Sequence, residues 1–246
     1  VASPTRSRTG NPTMFRPLFT RLLQMGYDSM LLDTQYRCHP HLADLANKLF
    51  YNNRLRNGCT ADDRAALVPG LPPLVFADCK GKQERWGGSI WNQRDAAMCV
   101  DVAKRLLRGG LAPEEIGIIC FFKEQVKRIK QLLESGGSGP GGSEDNDGAG
   151  GEASGVFVAT VDSFQGNERK AIILSTCLTQ PGGSGAFGAD PKRINVAFTR
   201  ATHHLVIVGC APALQTQKLW ANILAHIRSN RTFGRLLHPG EPFPIP

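Results

Sequence analysis

Short apolar runs alternate with amphipathic stretches along the chain, the pattern of a parallel sheet wrapped by crossover helices. Strands are predicted over Ser29 to Asp33, Leu74 to Asp78, Ile116 to Phe121, Val156 to Val161, Ala171 to Cys177 and His204 to Val208. Ile116-Gly-Ile-Ile, Ala171-Ile-Ile-Leu and Leu205-Val-Ile-Val are apolar without alternation, so both faces of those strands must be covered. Helices fall between them. One follows Pro40 with Leu42, Leu45, Ala46 and Leu49 on one face; another runs from Asp95 with Cys99, Ala103, Leu106 and Leu107, and Gly109-Gly110 stop it. A third carries Val126, Ile129 and Leu133, and the last Trp220, Ile223, Leu224 and Ile227. A further helix is predicted after Asp190, a good N-cap followed by Pro191, where Ile194, Ala197, Phe198 and Ala201 repeat at helical spacing. The fold class is α/β.

The segment Ser135 to Gly155, rich in Gly, Ser and acids, has nothing to bury and is predicted to be a disordered surface loop, an elaboration rather than a domain boundary. With 246 residues, 41% of them hydrophobic, the chain can bury a sizeable core as one large or one and a half domains. No apolar run approaches the roughly 18 residues of a membrane span, and Val1 to Pro12 lacks a signal-peptide core. The expectation is an intracellular protein without a membrane partner, in nucleus or cytoplasm with the nucleus favoured. The seven cysteines form no Cys-x-x-Cys pair and no zinc-spaced cluster with histidine, so they read as reduced, mostly buried small hydrophobes and no metal site is expected. Valine rather than methionine stands first, and the loop-like opening reads as a cut from something longer.

The net charge is +8, and the acidic insert holds no Lys or Arg, so the rest of the chain is more basic still. A polyanionic partner is expected, nucleic acid first. In open parallel sheets ligands sit at the carboxyl ends of strands, and three polar turns follow predicted strands: Thr34 to Pro40, Asp162 to Glu168, and the Asp190 helix. They are expected to share one sheet edge and one site. Arg193 and Arg200, seven positions apart beside the apolar stripe, suit phosphate reading; they equally suit arginines whose stems lie over the core.

Gln35-Tyr36-Arg37-x-His39-Pro40, Val161-Asp162-x-Phe164-Gln165-Gly166-x-Glu168 and Asn195-Val-Ala-x-Thr199-Arg200-Ala201 resemble motifs IV, V and VI of superfamily 1B helicases, in the right order. The resemblance is to the group containing the nonsense-mediated-decay helicase, senataxin and the GRF zinc-finger helicase, and covers Leu18 to Asn222. Leu49-Phe50-Tyr51 with Leu55, and Ile116-Gly-Ile-Ile, fit the same group. The chain has no Gly-x-x-x-x-Gly-Lys-Ser/Thr loop and no Asp-Glu pair to hold magnesium; the family keeps these in an upstream first domain. The resemblance therefore implies the second RecA-like domain alone, a P-loop NTPase fold without its own phosphate loop. It implies ATP with Mg2+ as cofactor, the magnesium ligands lying in the upstream domain. The implied partners are that RecA-like domain of the same protein and single-stranded nucleic acid, DNA or RNA. The implied activity is ATP-driven translocation, 5′ to 3′ by family, with the isolated chain inactive; the alternative is a non-catalytic nucleic-acid-binding relic of a helicase.

The resemblance also implies roles. Arg37 and Arg200 match the arginines that enter the γ-phosphate site from the second domain, and Tyr36 matches the tyrosine that stacks on adenine, although an aromatic there also reads as core. Gln35, Gln165, Gly166, Glu168 and Arg193 join Tyr36 as nucleotide-binding positions. Glu168 is read as accepting a ribose hydroxyl bond, or else as a solvated helix-entry charge. Thr160, Val161, Phe122 and Lys123 occupy positions where the family touches the strand. Cys120-Phe121-Phe122-Lys123 departs there from the usual Thr-Pro-Tyr, and Phe122 also reads as core. Trp86 and Trp91, in the polar loop Lys80 to Asn92, are alternative stacking candidates. The implied domain plan is a linker over 1–17, the RecA-like domain over 18–228 with the insert at 135–155, and a tail over 229–246.

Overall fold

A computed structural model describes residues 18–135, 155–180, 188, 190–230 and 232–245; the expected linker over 1–17 and nearly all of the acidic insert lie outside them. The first half contains α1 (Leu18–Gln24), β1 (Thr34–Gln35), α2 (Pro40–Phe50), β2 (Arg56–Asn57), β3 (Leu74–Asp78), β4 (Glu84–Trp86) and β5 (Ser89–Trp91). Next come α3 (Gln93–Arg108), β6 (Ile116–Cys120), α4 (Lys123–Glu134), β7 (Phe157–Thr160) and β8 (Arg169–Ser175). The described chain closes with α5 (Pro191–Phe198), β9 (Ala201–Gly209), α6 (Ala211–Leu214), α7 (Lys218–Ser229) and β10 (Gly234–Leu237).

Six strands form one sheet in the order β10-β3-β9-β8-β6-β7, every neighbouring pair parallel. Apolar residues on both faces of each strand build two cores. Leu74, Phe76, Ile119, Leu205 and Ile207 pack with Leu42 and Leu45 of α2, Ile194 and Phe198 of α5 and Trp220 of α7. Val75, Ala77, Ile118, Val206 and Val208 pack with Ala103 and Leu106 of α3 and Ile129 of α4. The period of two decides which core each strand residue enters. Among the described residues no helix is long and apolar enough to cross a membrane.

Three segments differ from expectation. Ser29 to Asp33 forms no strand: Met30 is 91% and Leu32 84% exposed, both sheet edges are occupied by β7 and β10, and only Thr34 and Gln35 pair, with Arg56 and Asn57. The polar loop Lys80 to Asn92 holds the antiparallel hairpin β4–β5, turned at Gly87 with φ +56°, where glycine carries no steric penalty. The expected tail supplies the edge strand β10, in register with β3 from Gly234↔Leu74 to Leu237↔Ala77, and Ile245 is buried in the core. The folded unit thus extends past residue 228.

Beneath the carboxyl ends of the strands lies a buried polar knot. Asp95, in the first turn of α3, accepts bonds from the Ser175 hydroxyl, from Gln125 Nε2 at 3.1 Å and from the Cys177 amide at 3.1 Å. Gln125 also accepts the Asn92 amide at 2.8 Å, tying α4 to the start of α3. Burial pushes the Asp95 carboxyl up to about 6, above its usual 3.8, although its hydrogen bonds pull the other way. A carboxyl raised on folding adds stability that is complete below its unfolded value and is lost as pH rises through its folded value. Between about pH 4 and 6 the native chain is therefore expected to lose stability relative to Asp95→Asn, with a constant gap above that window. His39 and His204, which burial pulls down to about 4, titrate with the opposite sign in both proteins, so the difference in urea midpoints is the readout. A gap that does not move with pH would exclude titration of Asp95 there.

Candidate functional site

A parallel sheet has one amino edge and one carboxyl edge, and the polar turns divide between them. Glu168 immediately precedes β8 and Arg200 immediately precedes β9; the Arg169 amide donates to Arg200 O at 3.1 Å, so the two residues meet at the amino edge. Arg37 joins them because the His39 amide donates to Thr202 O at 2.8 Å. The chain reaches this edge from Thr160, at the carboxyl end of β7, by crossing under the sheet. Phe164 fills that crossing, and a Cβ on Gly117 would lie 2.7 Å from its ring. The expected single site at the carboxyl ends is therefore two sites, with α5 running between them.

At the amino edge Arg37 Nε pairs with Glu168 Oε2, and Arg37 Nη1 donates to Thr199 O at 3.3 Å. Arg200 is half-buried and bonds uncharged oxygens: Val196 O at 3.0 Å, Asn167 O at 3.4 Å and Thr199 Oγ1 at 3.1 Å. Its pKa is pulled below the usual value first by burial and then by the charge of Arg37. A guanidinium nonetheless stays charged in a protein. Arg37 takes the one carboxylate while Arg200 has uncharged partners, which leaves a net positive charge at this edge. Cys38 beneath them is a neutral thiol, because burial pushes it to about 11 against the pull of Arg37 and Arg200.

Tyr36 stands beside this pair, 67% exposed. One side of its ring lies on Gly58, where a Cβ would come within 2.2 Å of the ring. The backbone beneath is fixed from two directions. Gln35 Oε1 accepts the amides of Arg37 at 2.9 Å and Cys38 at 2.8 Å, and Gln35 Nε2 donates to Cys38 O at 3.0 Å and Asn57 Oδ1 at 2.8 Å. Gln35 thus braces the turn rather than facing a ligand. Arg64 Nε donates to Arg37 O at 2.8 Å and its Nη2 to Tyr36 O at 2.9 Å. Sequence reasoning missed Arg64, which no motif marks, and Gly58, for which the Asn57-Gly58 turn dipeptide was the available signal. Gln165 is exposed and Gly166 has φ +90° on the crossing turn.

At the carboxyl edge Arg193 takes Asp162 with two nitrogens, each at 3.2 Å, and Asp190 Oδ2 at 3.4 Å. Seven residues at 1.5 Å rise put it about 10 Å from Arg200, and carboxylates neutralise it. The structure does not bring Arg193 to the Tyr36 site. Among the proposed strand contacts Phe122 and Val161 are buried at 7% and 2% exposure, so their side chains belong to the core. Lys123 is exposed, and the Thr160 hydroxyl bonds Ser163 Oγ at 3.0 Å.

A family model described as an AAA domain matches residues 14–212. The mouse (Mus musculus) 5′-3′ DNA helicase ZGRF1 is 36% identical over 210 residues, covering 85% of this chain and 11% of that protein. The ATP-dependent helicase NAM7 of Saccharomyces cerevisiae is 34% identical over 219 residues, 86% of this chain and 22% of that protein. Regulator of nonsense transcripts 1 of Caenorhabditis elegans is 33% identical over 223 residues, 86% and 20%. The chain thus spans between 11% and 22% of the length of these relatives. A solved C-terminal domain of a possible DNA helicase from Lactobacillus plantarum aligns over 83% of this chain and 99% of its own, at 14% identity and a TM-score of 0.47, a likeness that carries no argument.

Proposed function

Because this chain belongs to the AAA-domain family and is similar to the ATP-dependent helicase NAM7 and to regulator of nonsense transcripts 1, we propose that it is the second motor domain of an ATP-dependent nucleic-acid helicase of superfamily 1B. In this reading ATP binds in a cleft between the amino edge and an upstream RecA-like domain. The observation that carries it is two neighbouring guanidiniums at one sheet edge, Arg37 paired with Glu168 and Arg200 bonded to uncharged oxygens.

Each residue then has a distinct task. Tyr36, backed by Gly58, offers a flat apolar face that takes a base by stacking. Arg200 presents a fixed guanidinium to the terminal phosphate, where charge spreads over the equatorial oxygens as transfer proceeds. Glu168 holds Arg37 against the domain until a phosphate competes for it. Magnesium, when bound with ATP, would neutralise phosphate charge. Among the described residues no group of three or more His, Cys, Asp or Glu could hold a metal; in this reading an upstream domain would hold the ion, and this chain contributes its arginines. α5 joins the two edges as one rigid element, with Arg200 just past its end and Arg193–Asp162 at its start. Domain closure on the nucleotide is thereby passed to the strand edge. The proposed 5′ to 3′ direction is that of the relative ZGRF1.

Without a phosphate cradle, the purified 246-residue chain is expected to turn over no ATP above background, while the longer two-domain protein does so under single-strand stimulation. Turnover by the chain alone, abolished by Arg200→Ala, would contradict the two-domain reading. An absence of strand-stimulated turnover in the longer protein would instead favour a non-catalytic strand-binding module.

A further inference from the structure

The β4–β5 hairpin lies across the carboxyl edge, away from Tyr36, Arg37 and Arg200, and it is firmly anchored. The Thr179 amide, beyond β8, donates to Gln83 Oε1 at 3.3 Å, and the Glu124 amide at the start of α4 donates to Ser89 Oγ at 3.1 Å. Trp91 is occupied by the Arg128 guanidinium, 4.2 Å over its ring. Trp86, near the hairpin tip, is 75% exposed.

At the root of the hairpin is an open groove of about 530 Å³ lined by Lys80, Lys82, Arg94, Thr179 and Gln180 together with Gly81. Arg94 is steadied by a bond from Nη1 to Lys80 O at 3.3 Å. The acids nearby are committed or stand outside the lining. Asp78 accepts the Ala211 amide at 2.9 Å, Asp95 is locked in its buried knot, and Glu84 lies on the hairpin beyond the groove.

A buried donor sits under the same groove. Asn92 is 1% exposed, and its Oδ1 accepts the amides of Arg94 at 3.1 Å and Asp95 at 3.3 Å. That fixes which end of the amide is nitrogen, and Nδ2 has no hydrogen-bond partner among the described residues. It lies directly against Gly81, where a Cβ would come within 2.8 Å of it. A buried N–H without an acceptor is costly to leave unmade; this one lies behind Gly81 rather than in the lining, and the ligand that the three lining cations suit is an anion.

We propose that this groove holds backbone phosphate of the single strand while Trp86 stacks on one of its bases, giving a strand contact outside the helicase motifs. The proposal rests on the single-strand reading above. An open groove with an aromatic platform beyond it fits a polymer that presents phosphate and base together, and it continues the edge that carries Lys123 and Thr160. Phosphate contacts set the salt dependence of binding, whereas stacking is sequence-tolerant and nearly independent of salt.

The test is fluorescence anisotropy of a labelled oligothymidylate with this chain across a salt series. Lys80→Ala combined with Lys82→Ala is expected to lower the log–log salt slope by about 1.4, two contacts at 0.7 each, and to weaken binding about tenfold at low salt. Trp86→Ala is expected to weaken binding about tenfold with the slope unchanged, and Trp86→Phe to retain most of the affinity. If the parent binds and both variants stay within about twofold with the parental slope, the groove is not the strand site while the strand reading stands. If the parent does not bind at low salt, that reading fails and the proposal with it. Release of the strand by excess inorganic phosphate at constant ionic strength would mark a free-phosphate site and also overturn the proposal.

Discussion

Arg200→Ala is expected to lower strand-stimulated ATP turnover of the two-domain protein by about 10³-fold or more, with strand affinity held within a few fold. In the proposed function the guanidinium acts where negative charge develops on the transferring phosphate, so its loss should fall on the transition state more than on the ground state. The strand edge lies at the opposite end of α5 and keeps its own groups. Arg200→Lys should recover little. Three separate bonds, to Val196 O, Asn167 O and Thr199 Oγ1, set the plane of the present fork, and a single ammonium cannot satisfy them while also reaching forward. Tyr36→Ala supplies the contrast. Stacking on a base is made equally in ground and transition states, so this variant should raise KM for ATP and leave kcat near its parental value. Steady-state kinetics of the two variants decide the matter: a kcat loss in Tyr36→Ala as severe as that in Arg200→Ala, with KM unchanged, would overturn the division of roles.

Much of the sheet was legible because its strands are apolar on both faces. β3 runs over Leu74–Asp78 as the pattern predicts, and the helix after Asp190 begins where that residue caps it, whereas the helix expected from Asp95 starts at Gln93, capped by Asn92. What periodicity cannot report is the presence of a neighbour. Met30 to Leu32 reads as a strand, yet no sheet edge is open to it. The short Gly234–Leu237 does pair, because β3 offers an edge beside it. The hairpin was hidden by strands of three residues each, too short to show alternation. The site was legible as a set of residues but not as a geometry. A strand followed by a polar turn implies a carboxyl-edge site, and nothing in the residue pattern tells that Phe164 carries the chain under Gly117 to the other edge. That crossing separates Asp162 from Glu168 and places Glu168 beside Arg37, while the length of α5 separates Arg193 from Arg200. The burial of Phe122 and Val161 is likewise a matter of neighbours, since either side chain suits a core or a ligand.

Trp220→Ala is expected to destabilise the chain by about 3–5 kcal/mol, the usual cost of deleting a buried tryptophan and a large share of the roughly 5–15 kcal/mol that holds a domain together. Trp220 has no exposed surface. Its Nε1 donates to Gly188 O at 2.9 Å, and its ring meets Phe198 edge-on at 6.2 Å. Alanine would leave both a cavity and an unpaired carbonyl. The loss should also reach the nucleotide edge, because Phe198 ends α5 and is followed directly by Thr199 and Arg200. A ring that no longer backs Phe198 lets the end of that helix shift, and the bond from Arg200 to Val196 O shifts with it. Trp220→Phe separates the two effects. It keeps an apolar ring against Phe198 and removes the N–H bond, so it should cost about 1–3 kcal/mol while leaving ATP turnover close to parental. Urea denaturation of this chain measures the first quantity and turnover of the two-domain protein the second. If Trp220→Phe abolished turnover while remaining folded, the indole N–H, rather than ring packing on Phe198, would be what holds Arg200 in place.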